Sequence, residues 1–430
     1  LSAVVVADSK RAAIARDAAA TLLARSEALA VCTDNPKEIL RTFLSPAMEQ
    51  VHQRMDSWFE AAGMTVSVDR AGNLRALYPP ASGENVARLL IGSHLDTVPN
   101  AGAYDGVLGV LIGLAVIEAL GGRRLPYSIE VIGFSDEEGT RFGVPFIGSR
   151  AVVNRLDDAL LGTRDTNGIT VGEALSSYSA AHPEAIEALL VSQAAGYLEF
   201  HIEQGPVLES RNLALGIVEA LAGQSRCQLV FHGRAGHAGT TPMKLRRDAL
   251  TAAAEWMTRV EAIGCDIEGL VATVGQISVE PGGVNVIPGV VRCSLDVRHA
   301  EDVVRRDAVR SILDEARIIA EERGLSVEGE EYHNQAAVHF DSAMISCAAA
   351  AARRAGYAAI RMTSGAGHDA MMIAQHLPST MVFLRNPGGI SHHPDESVLE
   401  ADVAAAIHMG LCFLDEFALF LRKKENDRRA

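Results

Sequence analysis

Histidines and carboxylates gather behind four short apolar runs of this chain. Leu89-Leu90-Ile91 leads into Gly92-Ser93-His94-Leu95-Asp96, and the chain then reaches Ala103-Tyr104-Asp105-Gly106. A second run, ending at Phe134, leads into Ser135-Asp136-Glu137-Glu138-Gly139. In a third, Leu198, Phe200 and Ile202 alternate with Glu199, His201 and Glu203 before Gln204-Gly205-Pro206. The fourth, Met381 to Leu384, precedes Gly388-Gly389-Ile390-Ser391-His392-His393-Pro394. Imidazole and carboxylate together suit Zn²⁺, Mn²⁺ or Co²⁺. Two such ions ~3.5–4 Å apart repel, so a carboxylate must lie between them. Asp105, with Gly102 and Gly106 on either side, fits that place. His94 and Asp96 suit a ligand and the partner that orients it. Neighbouring side chains diverge in a turn, so one of Glu137 and Glu138 can bind an ion while the other faces water as a general base. Chemistry alone does not choose between His392 and His393. Taken singly, each of these residues is more often structural, and an acidic triplet is usually a solvated turn. Their recurrence after four strand ends is what points to a two-ion centre, because the crevice of an open α/β sheet lies outside the carboxyl ends of its strands.

Other polar residues carry weaker signals. His237 sits in the small-residue loop Gly236-His-Ala-Gly-Thr-Thr-Pro242, either as a turn histidine or as a donor to an oxyanion. Arg298 is a surface charge or, beside Asn285, a fork for a substrate carboxylate. Ser364-Gly365-Ala366-Gly367-His368-Asp369 lacks the lysine and spacing of a phosphate loop, and reads as backbone closely approaching a small ligand. The serines beside His94 and His392 lack a nucleophile-elbow pattern, which disfavours serine hydrolysis.

The elements that must position these residues follow two periods. The runs at 89–91 and 129–134 are strands buried on both faces, and the helical stretch Val110 to Leu120 between them stops at Gly121-Gly122. Strand, helix, strand is the unit of a parallel or mixed α/β sheet. The middle of the chain differs. A strand over Gln228 to Gly233 precedes a helix over Asp248 to Ile263. In Val291 to His299 the residues Val291, Cys293, Leu295 and Val297 share one face, the pattern of a half-buried antiparallel strand. A helix from about Asp302 to Gly324 follows, with Val304, Ala308, Ile312, Ala316 and Ile319 on one stripe. A separate two-layer α/β unit is therefore expected over 215–331, inserted between 1–214 and 332–430. The charged residues Arg422 to Ala430 read as a frayed tail.

Composition bounds the rest. At 430 residues, 48% hydrophobic and 22% charged, the chain can bury large cores and is not mainly disordered. With 39 basic against 54 acidic residues, a net charge of −15 argues against a nucleic acid or an anionic membrane as the main partner. The longest apolar stretch, Val107 to Ile117, is short of the ~20 residues of a membrane-spanning helix. Six scattered cysteines read as reduced thiols of a cytoplasmic protein and argue against a zinc knuckle.

The motifs at 92–96, 104–106, 134–139, 201–206, 236–243, 285–288, 364–369 and 390–394, in that order, resemble the amidase/hydantoinase–carbamoylase family. That family is a branch of the dinuclear-metal aminoacylase and carboxypeptidase superfamily. Arg41-Thr-Phe-Leu-Ser-Pro46 and Ala101-Gly-Ala-Tyr-Asp105 are most similar to its allantoate amidohydrolases. The other motifs are shared with N-carbamoyl-L-amino-acid hydrolases, β-ureidopropionases and ureidoglycolate amidohydrolases. The resemblance implies an α/β fold: a mixed-sheet, metallopeptidase-like catalytic domain with helices on both faces, plus an inserted lid and dimerisation domain. It implies two divalent ions per subunit, Zn²⁺ or Mn²⁺ with Co²⁺ or Ni²⁺ as alternatives. His94, Asp105 and His201 would hold one, and Asp105, Glu138 and His392 the other. His392 follows Ser391 as in the family motif, although His393 stands where the family has Asn or Ser. Glu137 would be the base, Asp96 its catalytic neighbour, and Gln204, Arg298, Gly365 and Ala366 substrate contacts. His237 and Asn285 would reach into the neighbouring subunit of a homodimer, His237 steadying the oxyanion. The implied reaction is hydrolysis of a ureido C–N bond in a small carboxylate. A dipeptidase, an aminoacylase or an inactive scaffold are the remote alternatives.

Overall fold

The apolar runs and helical stretches of the sequence assemble into mixed α/β sheets, described by a computed structural model over residues 2–83, 86–190 and 193–429. In chain order the strands are β1 (Thr65–Val68), β2 (Leu74–Tyr78), β3 (Arg88–His94), β4 (Ser128–Phe134), β5 (Ala194–Ile202), β6 (Leu215–Leu221), β7 (Gly223–His232) and β8 (Gly236–His237). They continue as β9 (Val271–Thr273), β10 (Ile277–Glu280), β11 (Val286–Ile287), β12 (Val290–His299), β13 (Ser326–Gln335), β14 (Val338–His339), β15 (Ala359–Ser364) and β16 (Ser379–Leu384). Two units form, one from Leu1–Glu219, Phe340–Met362 and Gly367–Ala430, the other from Ala220–His339 and Thr363–Ala366.

In the first unit the strands lie in the order β1-β2-β4-β3-β5-β16-β6. The middle four, β4-β3-β5-β16, are mutually parallel, so their carboxyl ends lie side by side at one edge. Antiparallel β2 and β6 flank them. Helices cover both faces of this sheet, and strands enclosed in this way are buried along nearly their whole length. In β5 the face that carries Glu199 and His201 is as buried as the apolar one. The helix Val107–Ala119 is buried on almost every side, which explains its lack of a polar stripe. Helix Glu400–Arg429 is apolar and long enough to cross a membrane by composition. Its apolar window is 72% buried inside the protein, where the helix packs against Ser2–Ala30 and Ser342–Arg354. The expected frayed tail is instead helical as far as Arg429, with Lys424 set over the Phe420 ring one turn back. Ala430 lies outside the described residues.

The second unit is an antiparallel sheet, β10-β12-β7-β13, with β9 also pairing β12. As the alternation requires, Val291, Cys293, Leu295 and Val297 of β12 face inward. They pack with helices Ala249–Asp266 and Asp302–Glu322. Asp248 starts the first of these by accepting from the Leu250 and Thr251 amides. The unit differs from the expected 215–331 at both ends. Much of β6 pairs with β16 in the other sheet, and β13 stays on β7 as far as Gln335. At the core of this unit Trp256 is fully buried, and its indole N–H donates to the Ile312 carbonyl at 3.0 Å. Trp256→Ala is expected to destabilise the protein by about 3–5 kcal/mol, measured by chemical denaturation followed by circular dichroism.

Candidate metal centre

His94 closes β3, His201 lies in the last turn of the pleat of β5, and Glu137 and Glu138 follow β4 by a few residues. His392 comes from the loop after β16. Because those four strands are adjacent and parallel, their ends deliver these side chains to one place. Two of the positions adopt left-handed backbone, Gln204 at φ 57° and His392 at φ 56°, an arrangement that aims a side chain at some local strain. Gly106 also has positive φ, and a Cβ there would sit 2.4 Å from the His94 ring. Only glycine lets the Asp105 loop close over that imidazole.

The imidazoles are oriented by the backbone. His94 Nδ1 lies 3.0 Å from the Asp96 carbonyl and His201 Nδ1 2.9 Å from the Ile202 carbonyl. A carbonyl can only accept, so each Nδ1 carries the hydrogen, and each Nε2 presents a lone pair whenever its imidazole is neutral, as an ion requires. Those two Nε2 atoms face each other at 3.4 Å, beside Asp105 Oδ1 at 3.9 and 3.2 Å. Asp105 Oδ1 is buried and accepts no hydrogen bond among the described residues. Two lone pairs and a bare carboxylate oxygen facing one point call for a cation. On the other side of Asp105, His392 Nε2 lies 3.3 Å from Oδ2 and 3.3 Å from Glu138 Oε1. The groups His94–Asp105–His201 and Asp105–Glu138–His392 each have ligand atoms close enough for one ion, and they share Asp105. A two-ion centre fits these donors. His393 instead turns to Asp395 at 3.6 Å.

Burial and mutual charge set the protonation of the ion-free centre. Burial lowers the His201 pKa to about 4, helped by the charge of His94. His94 is pushed well above the usual histidine value: burial opposes this, but Asp96, Glu137 and Asp105 outweigh it. Hydrogen bonds to Asp105 and Glu138 raise His392 to about 10. Burial would raise Asp105, yet His392, His201 and His94 hold it below the usual carboxylate range. Glu137 is raised well above its ordinary value, first by burial and then by Glu138, Asp369 and Asp96. A carboxylate with such affinity for a proton is suited to take one from water near neutral pH.

The remaining site candidates fall in two places. Asp96 does more than orient His94: its two oxygens accept from the Glu137 and Glu138 amides at 2.9 and 3.1 Å, fixing the acidic turn. Gln204 donates through Nε2 to Asp105 Oδ2 at 2.9 Å and to Ser391 Oγ at 3.1 Å, so in this state it is engaged with the metal loop. In the second unit His237 and Asn285 lie side by side: Val286 pairs with His237, and the Ala238 amide donates to the Asn285 carbonyl. Arg298, Gly365 and Ala366 also come together. The fork of Arg298 is held by Asp296 at 2.8 and 3.0 Å, and Nη1 donates to the Gly365 carbonyl. Three of its five N–H donors are thus used, and two remain among the described residues.

Three neighbours that stand inside the quoted motifs carry no role in the sequence reading. His368 is buried with its ring 4.4 Å from that of His201 and Nδ1 3.9 Å from Glu137 Oε1. Ser391 donates to Asp105 Oδ2 at 3.0 Å. Glu199, held by Tyr197 and the Ala370 amide, is raised by burial to about 7. His368 and Ser391 adjoin residues already singled out, and that adjacency was the available signal. Arg41 is structural: it is buried and donates to the carbonyls of Leu95, Leu29 and Cys32, bracing the loop behind His94.

The chain matches the peptidase family M20/M25/M40 over residues 90–416. It is 39% identical to a probable allantoate deiminase of Oryza sativa subsp. japonica, over 92% of this chain and 88% of that protein. It is 38% identical to an N-carbamoyl-L-amino acid amidohydrolase of Geobacillus stearothermophilus, over 81% of this chain and 86% of that one. A solved amidase of the hydantoinase/carbamoylase family from Burkholderia multivorans superposes with a TM-score of 0.87 at 33% identity, covering 93% and 97% of the two chains.

A metal-ligating histidine must be neutral. Since His392 titrates at about 10, it is protonated at neutral pH and must release that proton to bind an ion. Ion uptake should therefore release protons and tighten as pH rises from 6 to 8. Calorimetric titrations in buffers of different ionisation enthalpy would show this, and heats independent of buffer would refute it.

Proposed function

The chain belongs to the amidase/hydantoinase–carbamoylase branch of peptidase family M20/M25/M40, and we propose that it hydrolyses allantoate to ureidoglycine, CO₂ and ammonia. The observation that carries the hydrolytic reading is the pair of facing Nε2 atoms on one side of Asp105, with His392 and Glu138 on the other. Likeness to the allantoate deiminase extends over more of the chain than likeness to the carbamoylase, at nearly equal identity, which supports allantoate as the substrate. Carbamoylases use a ureido group next to a carboxylate as well, so N-carbamoyl-L-amino acids are the second reading.

His94, His201 and Asp105 would hold one divalent ion, and Asp105, Glu138 and His392 the other. Such ions supply Lewis acidity and make water a better nucleophile at neutral pH. Glu137, held in place by the grip of Asp96 on its amide, takes the proton from the attacking water. It then delivers that proton to the leaving nitrogen, and the resulting carbamate breaks down to CO₂ and ammonia. The two free N–H groups of Arg298 receive the substrate carboxylate. His237 Nδ1 accepts from the Gly239 amide at 3.1 Å, which fixes the tautomer with Nε2–H as a free donor for an oxyanion.

A homodimer is part of this reading. Met243, Leu245 and Val284, all strongly exposed, lie near His237 and Asn285 in sequence, and exposed apolar side chains suit contact with a second copy. His237 and Asn285 would then serve the neighbouring subunit's centre.

Ammonia release by ion-loaded protein tests the proposal. Allantoate should exceed a panel of N-carbamoyl-L-amino acids by ten-fold or more in kcat/KM, ~1.4 kcal/mol. Glu137→Gln should keep its ions and lose ~10²–10⁴ in kcat or more. The reverse preference would move the substrate to carbamoyl amino acids, and no ammonia from either would refute the proposal.

A further inference from the structure

Glu396 takes no part in either ligand group, yet it reaches both of the loops that form them. Its Oε1 accepts from two consecutive backbone amides, Tyr104 N at 2.8 Å and Asp105 N at 2.9 Å. Its own amide donates to the His393 carbonyl at 3.0 Å, so it is rooted in the loop that presents His392. The side chain is buried, and the Asp105 loop is shaped to receive it: a Cβ on Gly102 would lie 2.4–2.5 Å from Glu396 Cβ, Cδ and Oε1. Bonds from amides to a carboxylate are among the stronger hydrogen bonds. Here they join stretches of chain 291 residues apart.

We infer that Glu396 is a positioning residue that locks the backbone of Asp105 to the His392 loop, holding the shared carboxylate in register with both ion positions. The inference rests on the two-ion reading above. Asp96 likewise grips two consecutive amides, those of Glu137 and Glu138, with one oxygen to each where Glu396 uses a single oxygen for both. Asp96 fixes the base and one ligand; Glu396 fixes the bridge. Because Asp105 belongs to both groups, loosening it weakens both ion positions together, whereas loss of an ordinary ligand weakens one.

The test is calorimetric titration of ion-free protein with Mn²⁺, alongside kinetics and a thermal melt. Glu396→Ala should weaken both binding steps ~10–100-fold, the range typical of groups that orient metal ligands. At saturating Mn²⁺ kcat should fall while KM stays within about three-fold, since no substrate contact is lost. Glu396→Gln keeps a carbonyl acceptor and should recover most of the affinity. A merely structural residue would lower the melting temperature in both variants and leave the ion affinities of the folded protein unchanged. Glu396→Asp, one methylene too short to reach the amides, serves if the alanine variant does not fold, and should also weaken both steps. Wild-type affinities in the folded alanine or aspartate variant would overturn the inference while the two-ion reading stands. A wild-type protein that takes up no Mn²⁺ would overturn both.

Discussion

Two imidazole nitrogens with their lone pairs turned toward each other at 3.4 Å, next to an unbonded buried carboxylate oxygen, are unstable without positive charge between them. Much of the surrounding architecture exists to hold that arrangement. The carbonyls of Asp96 and Ile202 prevent either imidazole from rotating its N–H inward. With a proton alone, the site settles into one charged and one neutral histidine, His94 and His201 respectively. A divalent ion satisfies both nitrogens and the Asp105 oxygen at once.

The same constraint explains why the centre sits where it does. Four adjacent parallel strands present their carboxyl ends together, and each carries a candidate ligand or the candidate base within a few residues of its end or in the loop that follows. Distances between these groups are thereby set by the spacing of strands rather than by flexible loops. Where loops do contribute, they are tied down: Arg41 braces the loop after β3 and Asp96 fixes the turn after β4. Ser391 and Gln204 both bond to Asp105 Oδ2. Burial first, and then the neighbouring carboxylates of Glu138, Asp369 and Asp96, raise the Glu137 carboxyl above its ordinary value, so the pocket is unfavourable unless positive charge is supplied.

How much of this could be read from residues alone depended on the kind of signal. Strand ends followed at once by His, Asp or Glu were legible because sequence neighbours share a strand end. The alternation in 291–297 marked the inward face of β12 correctly. The polar residues of 198–203 mark a site and not a surface for a physical reason: a strand enclosed by helices on both sides has no solvent face. Long-range contacts left no local trace. Glu396 on the Tyr104 and Asp105 amides, Arg298 on the Gly365 carbonyl, and Arg305 on Asn334 depend on tertiary placement. The helical tail to Arg429 shows the opposite failure, charge being a poor guide where a long helix simply continues.

The most direct test of this account is anomalous X-ray diffraction from crystals grown with Mn²⁺. It predicts two peaks per chain, ~3.5–4 Å apart, with Asp105 between them, His94 and His201 on one, and Glu138 and His392 on the other. A single peak, or ions bound without Asp105, would contradict it.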